Sequence, residues 1–256
     1  MKILHIITGL GTGGAETMLL KLIKESSFHP EQHVVVSLMD EGTRGEEIKN
    51  CAQLYVLGLE RGQYSMASLS KLFGIIRKER PDIIQGWMYH ANIAALLVNV
   101  FFRKKLFWNI RQSLPDIKLE RTLTKLLIKL SSFTSTFVDR IVYNSTTSMS
   151  HHYRYGFNEK NASFIANGFD LDVFQPLSFS AVNMIKKQLN LPSNSRVIGH
   201  VARFHPVKNH QGFIRKITPF LEENENLYCA LIGLDVTAKN NILTEAIEQS
   251  GYANRF

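Results

Sequence analysis

Hydrophobic residues fall along this chain in two alternating patterns. Short, compact and mainly apolar runs, the first being Ile3-Leu4-His5-Ile6-Ile7, are bounded by glycine and polar turns. Such runs read as strands buried on both faces. Between them lie stretches with apolar residues at helical spacing, as at Met18, Leu19, Leu22 and Ile23 within 15–25. Further strands are predicted over 33–39 (HVVVSLM), 54–59 (LYVLGL), 82–86, 106–110 and 140–144. Further helices are predicted over 69–80, where Pro81 stops the run, over 90–102, and over 119–133 with Lys125 and Lys129 on one side. Strands and helices in strict alternation, joined by short turns, make a parallel sheet covered by helices on both faces.

The pattern changes after Ile165. ANGFDLDVFQPLSFSA is irregular, polar and proline-containing, and reads as a linker. A helix over 182–191 follows, then a second buried strand over 196–203 (RVIGHVAR), another strand over 227–233 and a helix over 242–250. The resulting division is 1–168 as an N-terminal Rossmann-like domain, 169–195 as linker and connecting helix, and 196–256 as the opening of a second Rossmann-like domain. Two strands with two or three helices bury too little apolar surface to stand alone. Either the second unit packs on the first, or it belongs to a longer, C-terminally truncated whole, which is the favoured expectation.

Composition narrows the class. Of 256 residues, 45% are hydrophobic and 20% charged, which excludes a disordered chain. The net charge of +8 suits an anionic partner: a nucleotide diphosphate, an anionic membrane leaflet or a nucleic acid. Cys51 and Cys229 have no metal-ligand spacing and read as reduced thiols of a cytosolic protein. The opening MKILHIITG runs into a glycine loop too soon for a signal peptide. The most apolar segment, IAALLVNVFF at 93–102, is shorter than the ~20 residues of a spanning helix and ends at Arg103-Lys104-Lys105.

Candidate chemistry sits where predicted strands end. Gly9, Gly11 and Gly14 fit G-x-G-x-x-G between a strand and a helix, a shape that brings backbone amides to an anion. With Asp40 at the end of the next strand, they keep a nicotinamide-dependent oxidoreductase open as one reading. Glu16 opens the following helix, where a carboxylate suits the helix dipole. His90, in Gly86-Trp-Met-Tyr-His-Ala-Asn92, can hydrogen-bond or carry a proton near neutral pH, and is equally readable as a core or capping histidine. Arg111 and Asn144-Ser145 follow later strands, the latter pair also fitting a helix cap. Arg203 and Lys208 share one strand-to-helix loop, the arrangement of a diphosphate clamp. His205 and His210 flank them without a carboxylate, so no metal site is predicted.

Taken together, ITGLGTGGAE (7–16), QGWMYHAN (85–92), NIRQS (109–113), VYNS (142–145), IANGFD (165–170) and VARFHPVKN (201–209) resemble the large retaining GT-B glycosyltransferase family, family 4. Their order and spacing carry the resemblance more than any one motif. It implies an α/β fold of GT-B type, with two Rossmann-like domains. Arg203 and Lys208 would grip the diphosphate of a UDP- or GDP-sugar and His90 would lie near the transferred sugar. Gly13, Gly14 and Glu16 would line the cleft, with Asn92, Arg111, Asn144, Asn167 and Gly168 as further donor or acceptor contacts. It implies no cofactor and no metal, a glycan or lipid-linked acceptor of polysaccharide or lipopolysaccharide synthesis, no nucleic acid, and a cytoplasmic location. A peripheral position on the inner face of the membrane is a further expectation, resting on Arg103, Lys104, Lys105, Lys118, Arg121, Lys125 and Lys129. One departure stands out: the family's Glu-x7-Glu element is absent, and Glu245 and Glu248 are too close together to replace it. A non-catalytic homologue that binds an acceptor or partner is therefore the alternative to an active transferase.

Overall fold

The N-terminal apolar run becomes β1 (Ile3–Ile7), and the β-branched run that follows becomes β2 (His33–Ser37). The structure, a computed structural model, describes residues 1–60 and 66–256. The chain divides into two compact units, Met1–Phe169 and Asp170–Phe256.

In the first unit seven strands form one sheet. Beside β1 and β2 these are β3 (Gln53–Val56), β4 (Ile83–Trp87), β5 (Lys105–Ile110), β6 (Arg140–Tyr143) and β7 (Ala162–Phe164). Their order is β3-β2-β1-β4-β5-β6-β7, and every ladder is parallel. β1 lies between β2 and β4, with Ile3 opposite both His33 and Ile83. The winding reverses there, and in open α/β sheets ligands bind outside the strand ends at such a reversal.

Helices α1 (Gly14–Lys24) and α2 (Gly45–Lys49) cover one face, burying Leu19, Leu20 and Ile48 against Ile7, Val35 and Trp87. Helices α3 (Met66–Glu79), α4 (Met88–Phe102) and α5 (Thr122–Thr134) cover the other, with Leu72, Ile76, Ala95 and Ile128 against Leu4, Ile6, Val34 and Ile84. With helices on both sides, Val34, Val35 and Val36 are all fully buried, as an unbroken apolar run requires. The expected parallel α/β sheet is present.

Three elements of this unit are absent from the sequence-based expectation: α2, β7 and α6 (Thr146–Arg154). The first two are too short to show a period. The inner face of α6 is Ser148 and His152, so it carries no apolar stripe to read.

The second unit holds α7 (Phe179–Gln188), β8 (Arg196–Val201), α8 (His210–Glu223), β9 (Leu227–Ile232) and α9 (Asn241–Gln249). β8 and β9 pair in parallel, Arg196 opposite Leu227. Helix α7 starts before the expected residue 182, because the Ser178 side chain accepts from the Ala181 amide and caps it there. The small core joins Ile217 and Leu221 of α8 to Leu227 and Cys229 of β9. The expectation of a buried strand at 196–203 is corrected: Val197 is 41% exposed and Val201 74%. β8 has only β9 as a ladder neighbour among the described residues, and the core forms on β9.

Candidate active site

The sheet's carboxyl edge gathers most of the candidate residues of the first unit. β1 ends at Ile7 and α1 begins at Gly14, so the glycine loop spans the gap. The loop after β2 holds it in place. Gly42 adopts φ +52, and a Cβ there would overlap the backbone of Leu10. The Arg44 amide donates to the Leu10 carbonyl (2.9 Å), and the hydroxyls of Thr12 and Thr43 are 2.9 Å apart. Gly13, extended at φ −146, caps α1. A Cβ on Gly13 would overlap the Glu16 carboxylate, which therefore folds back over the helix N-terminus where the dipole favours it. Gly14 has open space around it.

The β4–α4 corner is strained and buttressed. Met88 begins α4 at φ +68, left-handed for a non-glycine residue, which costs on the order of 1–3 kcal/mol. Asn92 is fully buried and, with its amide nitrogen as donor, reaches the carbonyls of Gly86 (2.9 Å) and Met88 (3.3 Å). A Cβ on Gly86 would run into the Asn92 backbone. Asn92 thus holds the corner from inside, and His90, half-buried in the first turn of α4, is aimed by it. Behind His90, the neighbouring Tyr89 meets His152 of α6, hydroxyl to Nε2, at 2.7 Å. His152 Nδ1 lies 2.7 Å from the Ser148 carbonyl, so Nδ1 donates there and Nε2 accepts from Tyr89. Burial lowers the His152 pKa to about 4 and raises that of Tyr89.

Arg111, just past β5, reaches the segment after β7. It donates to the Ile165 carbonyl (3.2 Å) and to Asn167 Oδ1 (3.1 Å), and its guanidinium lies over the Trp87 ring at 5.6 Å. Burial lowers its pKa, and its buried Nε has no partner among the described residues. Asn144 donates to the Arg111 carbonyl (3.3 Å), while its own Oδ1 is buried without a partner. Ser145 caps α6 by accepting from the Ser148 amide at 3.0 Å. Gly168 accepts from Lys21 Nζ at 3.4 Å, so Lys21 ties α1 to the same segment. Below the Arg111 stack, Trp87 Nε1 donates to His5 Nδ1 (3.4 Å), and His5 Nε2 faces His33 Nδ1 (3.3 Å). Burial lowers His5 to about 3.

Arg203 and Lys208 lie in the second unit, on the β8–α8 loop. Both are exposed, and their side chains make no hydrogen bond or ion pair among the described residues. The loop's shape is held by backbone. Asn209 sits at φ +50 and accepts from the Gly212 amide (3.1 Å), and a Cβ on Gly212 would overlap that side chain. The His200 and His210 rings stack at 4.5 Å, and His210 Nε2 donates to the Ala202 carbonyl (3.2 Å). Burial, then His210 and Lys208, lower the His200 pKa, which places the Lys208 charge beside that stack.

The geometry thus brings Gly13, Gly14, Glu16, His90, Arg111, Asn144, Asn167 and Gly168 to strand ends or adjoining segments of one unit, with Asn92 inside. Met88, Trp87, His5 and Gly42 support the site without having been singled out from sequence. Met88 and Gly42 matter through backbone angles, which single residue identities do not announce. Among the described residues no group of three or more His, Cys, Asp or Glu could hold a metal ion, and no helix is long and apolar enough to cross a membrane.

Comparisons with known proteins bear on this arrangement. EpsF of Bacillus subtilis (strain 168), named provisionally as a glycosyltransferase, is 24% identical over 265 residues, covering 97% of this chain and 66% of its own length. The chain therefore spans just under two thirds of that relative. HepE from Anabaena, crystallised with UDP and glucose, shares the fold over 100% of this chain and 68% of its own, with a TM-score of 0.80 at 20% identity. Sucrose-phosphate synthase from Thermosynechococcus elongatus does so over 100% of this chain and 69% of its own, with a TM-score of 0.72 at 13% identity. The fold is that of the GT-B glycosyltransferases. The model of Glycosyltransferase Family 4 matches residues 12–173, more than half of the chain and all of the strand-end motifs of the first unit from Gly13 to Gly168, and the chain belongs to that family.

Proposed function

We propose that this chain serves a glycosyltransferase that moves a sugar from a UDP- or GDP-sugar to a glycan or lipid-linked acceptor, with retention of anomeric configuration. The observation that carries the reading is the convergence, at one sheet edge at a point of winding reversal, of His90 on a strained corner, Glu16 on a helix N-terminus and Arg111 bonded to Asn167. Those groups suit a polyhydroxylated ligand: donors and acceptors held by rigid backbone, a histidine among them.

In the second unit, Arg203 and Lys208 hold the donor diphosphate and stabilise the charge that develops on it as it leaves. Two exposed cations without partners among the described residues are available for that task. They take the place of a divalent ion, so transfer needs no metal. His90, with Gly13, Gly14 and Glu16, lines the sugar and acceptor side. Asn92 acts on the ligand only through the corner it holds. The nicotinamide reading of Gly9, Gly11, Gly14 and Asp40 gives way to family membership. It also lacks a task for Arg203 and Lys208.

The test is calorimetric titration of the chain with UDP, GDP and NAD in the presence of EDTA, alongside Arg203→Ala and Lys208→Ala. Binding of UDP or GDP, weakened by each substitution by about 1.5–3 kcal/mol, is the expected result. Binding of NAD alone, indifferent to Arg203, overturns it.

A further inference from the structure

Arg203 and Lys208 can act as a pair only if the loop that carries them, with Phe204-His205-Pro206-Val207 in between, keeps one shape. A loop free to move would have to be ordered each time an anion bound, at a cost in affinity. From Arg203 to Asn209 no residue is buried, so the core does not hold it. Local bonds fix its parts. Where the chain leaves the sheet, the Ala202 amide donates to the Ile232 carbonyl (2.9 Å) and the Phe204 amide to the Leu234 carbonyl (2.8 Å). A Cβ on Gly233 would overlap the Ala202 carbonyl, so the end of β9 lies close against that peptide. The middle is a single tight turn, Pro206–Lys208, in which the Lys208 amide donates to the His205 carbonyl (2.8 Å) and the Asn209 amide to the Pro206 carbonyl (3.0 Å). These bonds serve one end or the middle. None of them joins the two ends.

His210 does. It is the first residue of α8, two positions past Lys208, and only 2% of it is exposed. Its Nε2 lies 3.2 Å from the carbonyl of Ala202, the residue directly before Arg203. A carbonyl can only accept, so Nε2 carries the hydrogen and donates. Nδ1 is buried without a partner among the described residues. The ring is held in that orientation from several directions. It stacks on His200 of β8 at 4.5 Å, 18° from parallel, and Phe204 meets it at 5.3 Å. Phe213, one turn into α8, closes edge-on against His200 at 4.7 Å. A donor aimed by three neighbouring rings and its own helix thus spans the base of an otherwise exposed loop.

We infer that His210 is a positioning residue: its Nε2–H ties the start of α8 to the end of β8 and so sets the spacing of Arg203 and Lys208 for a diphosphate. The inference rests on the proposed role of those two cations and gives His210 no contact with the ligand.

Two substitutions separate this role from packing. His210→Phe keeps an aromatic ring for the stack and removes the donor. His210→Gln loses the ring and keeps an N–H at the reach of Nε2. Packing alone makes glutamine the more damaging change, whereas the tie makes phenylalanine so. The whole chain and both variants are titrated with UDP by calorimetry, with Arg203→Ala and Lys208→Ala alongside. Hydrogen exchange is followed by mass spectrometry in peptides covering 203–209 and in β8 and β9. The expected result is that His210→Phe weakens UDP binding by about three- to tenfold and speeds exchange over 203–209 by a similar factor, while His210→Gln stays within about twofold of the unsubstituted chain in both. Binding that Arg203→Ala weakens and His210→Phe leaves unchanged overturns the inference and leaves the proposed function standing. So does a glutamine effect as large as that of phenylalanine, or a loss of protection in β8 and β9 with either variant, which would assign His210 to packing. Binding indifferent to Arg203 and Lys208, or no UDP binding by the unsubstituted chain, overturns both, since His210 would then have no clamp to set.

Discussion

The two units run the same strand–helix–strand logic and end with different interiors. In the first, β1 has ladder neighbours on both sides and helices on both faces, and its run is buried from Leu4 to Ile7. In the second, β8 carries a comparable run, Val197-Ile198 and Val201, yet stays exposed because only β9 pairs with it among the described residues. The lesson is that an apolar run specifies a strand, while the number of neighbours decides whether that strand is buried. The same residue type is therefore worth different amounts in the two units.

The largest expected effect comes from matched glycines. Gly86→Val in β4 places a side chain against the Asn92 backbone and should cost at least about 4 kcal/mol, enough to unfold the first unit. Gly199→Ala in β8, where a Cβ meets nothing within 4 Å, should stay within about 0.5 kcal/mol. Urea titration followed by tryptophan fluorescence reads the first unit alone, since both tryptophans lie in it. Hydrogen exchange by mass spectrometry reads the second. Equal effects in the two strands would erase the contrast.

Apolar truncation comes next. Ile84→Ala, at a fully buried site, should cost about 2–5 kcal/mol, and Val201→Ala less than about 0.5. The same two measurements apply.

Acid should also separate the units. Burial lowers His152 to about 4 and His5 to about 3, both below the ordinary 6.5 of a free histidine. The unfolded chain therefore binds more protons in that window. Their contribution is complete above pH 6.5 and is lost as pH falls towards 4 and then 3. His152 alone, fully buried in the fold, accounts for roughly 3 kcal/mol of this. Stability of the first unit measured by fluorescence between pH 7 and 4 should fall, and His152→Gln should flatten that fall. A pH-independent midpoint would show that the Tyr89–His152 contact is looser than 2.7 Å implies.

The smallest effect is at a helix cap. Ser145→Ala removes the acceptor of the Ser148 amide and should cost about 1 kcal/mol. If Asn144 and Arg111 are bound to α6 only through that cap, the same variant should weaken the acceptor binding proposed above. If they are held by β6 and Trp87, it should not.

How much of this was legible follows from the same physics. The sheet was readable because β1, β2, β4, β5 and β6 carry short, mainly apolar runs between glycine, proline and polar turns. Helix α6 was not, because it buries Ser148 and His152, whose partners Gln112 and Tyr89 are 36 and 63 residues away. At the candidate site, the positions of Glu16 at a helix start and His90 past a strand end were legible from pattern, and Gly13 entered only through the family resemblance. That a side chain at position 13 would overlap the Glu16 carboxylate was not, nor was the Arg111–Asn167 bond spanning 56 residues. The internal role of Asn92 was equally hidden, since an asparagine in a motif looks the same whether it faces ligand or core.

The position of β1 has a consequence in the order of synthesis. Its first ladder partner, β2, follows within about 30 residues, but Ile3 meets Ile83 of β4 across 80 residues of chain. At a ribosomal pace of roughly 5–20 residues per second, one edge of the central strand waits some 4 to 16 seconds for its mate. Parallel ladders offer no hairpin to shorten the delay. During that interval an apolar edge is open to any passing strand, and the nascent chain stays vulnerable until β4 has been made.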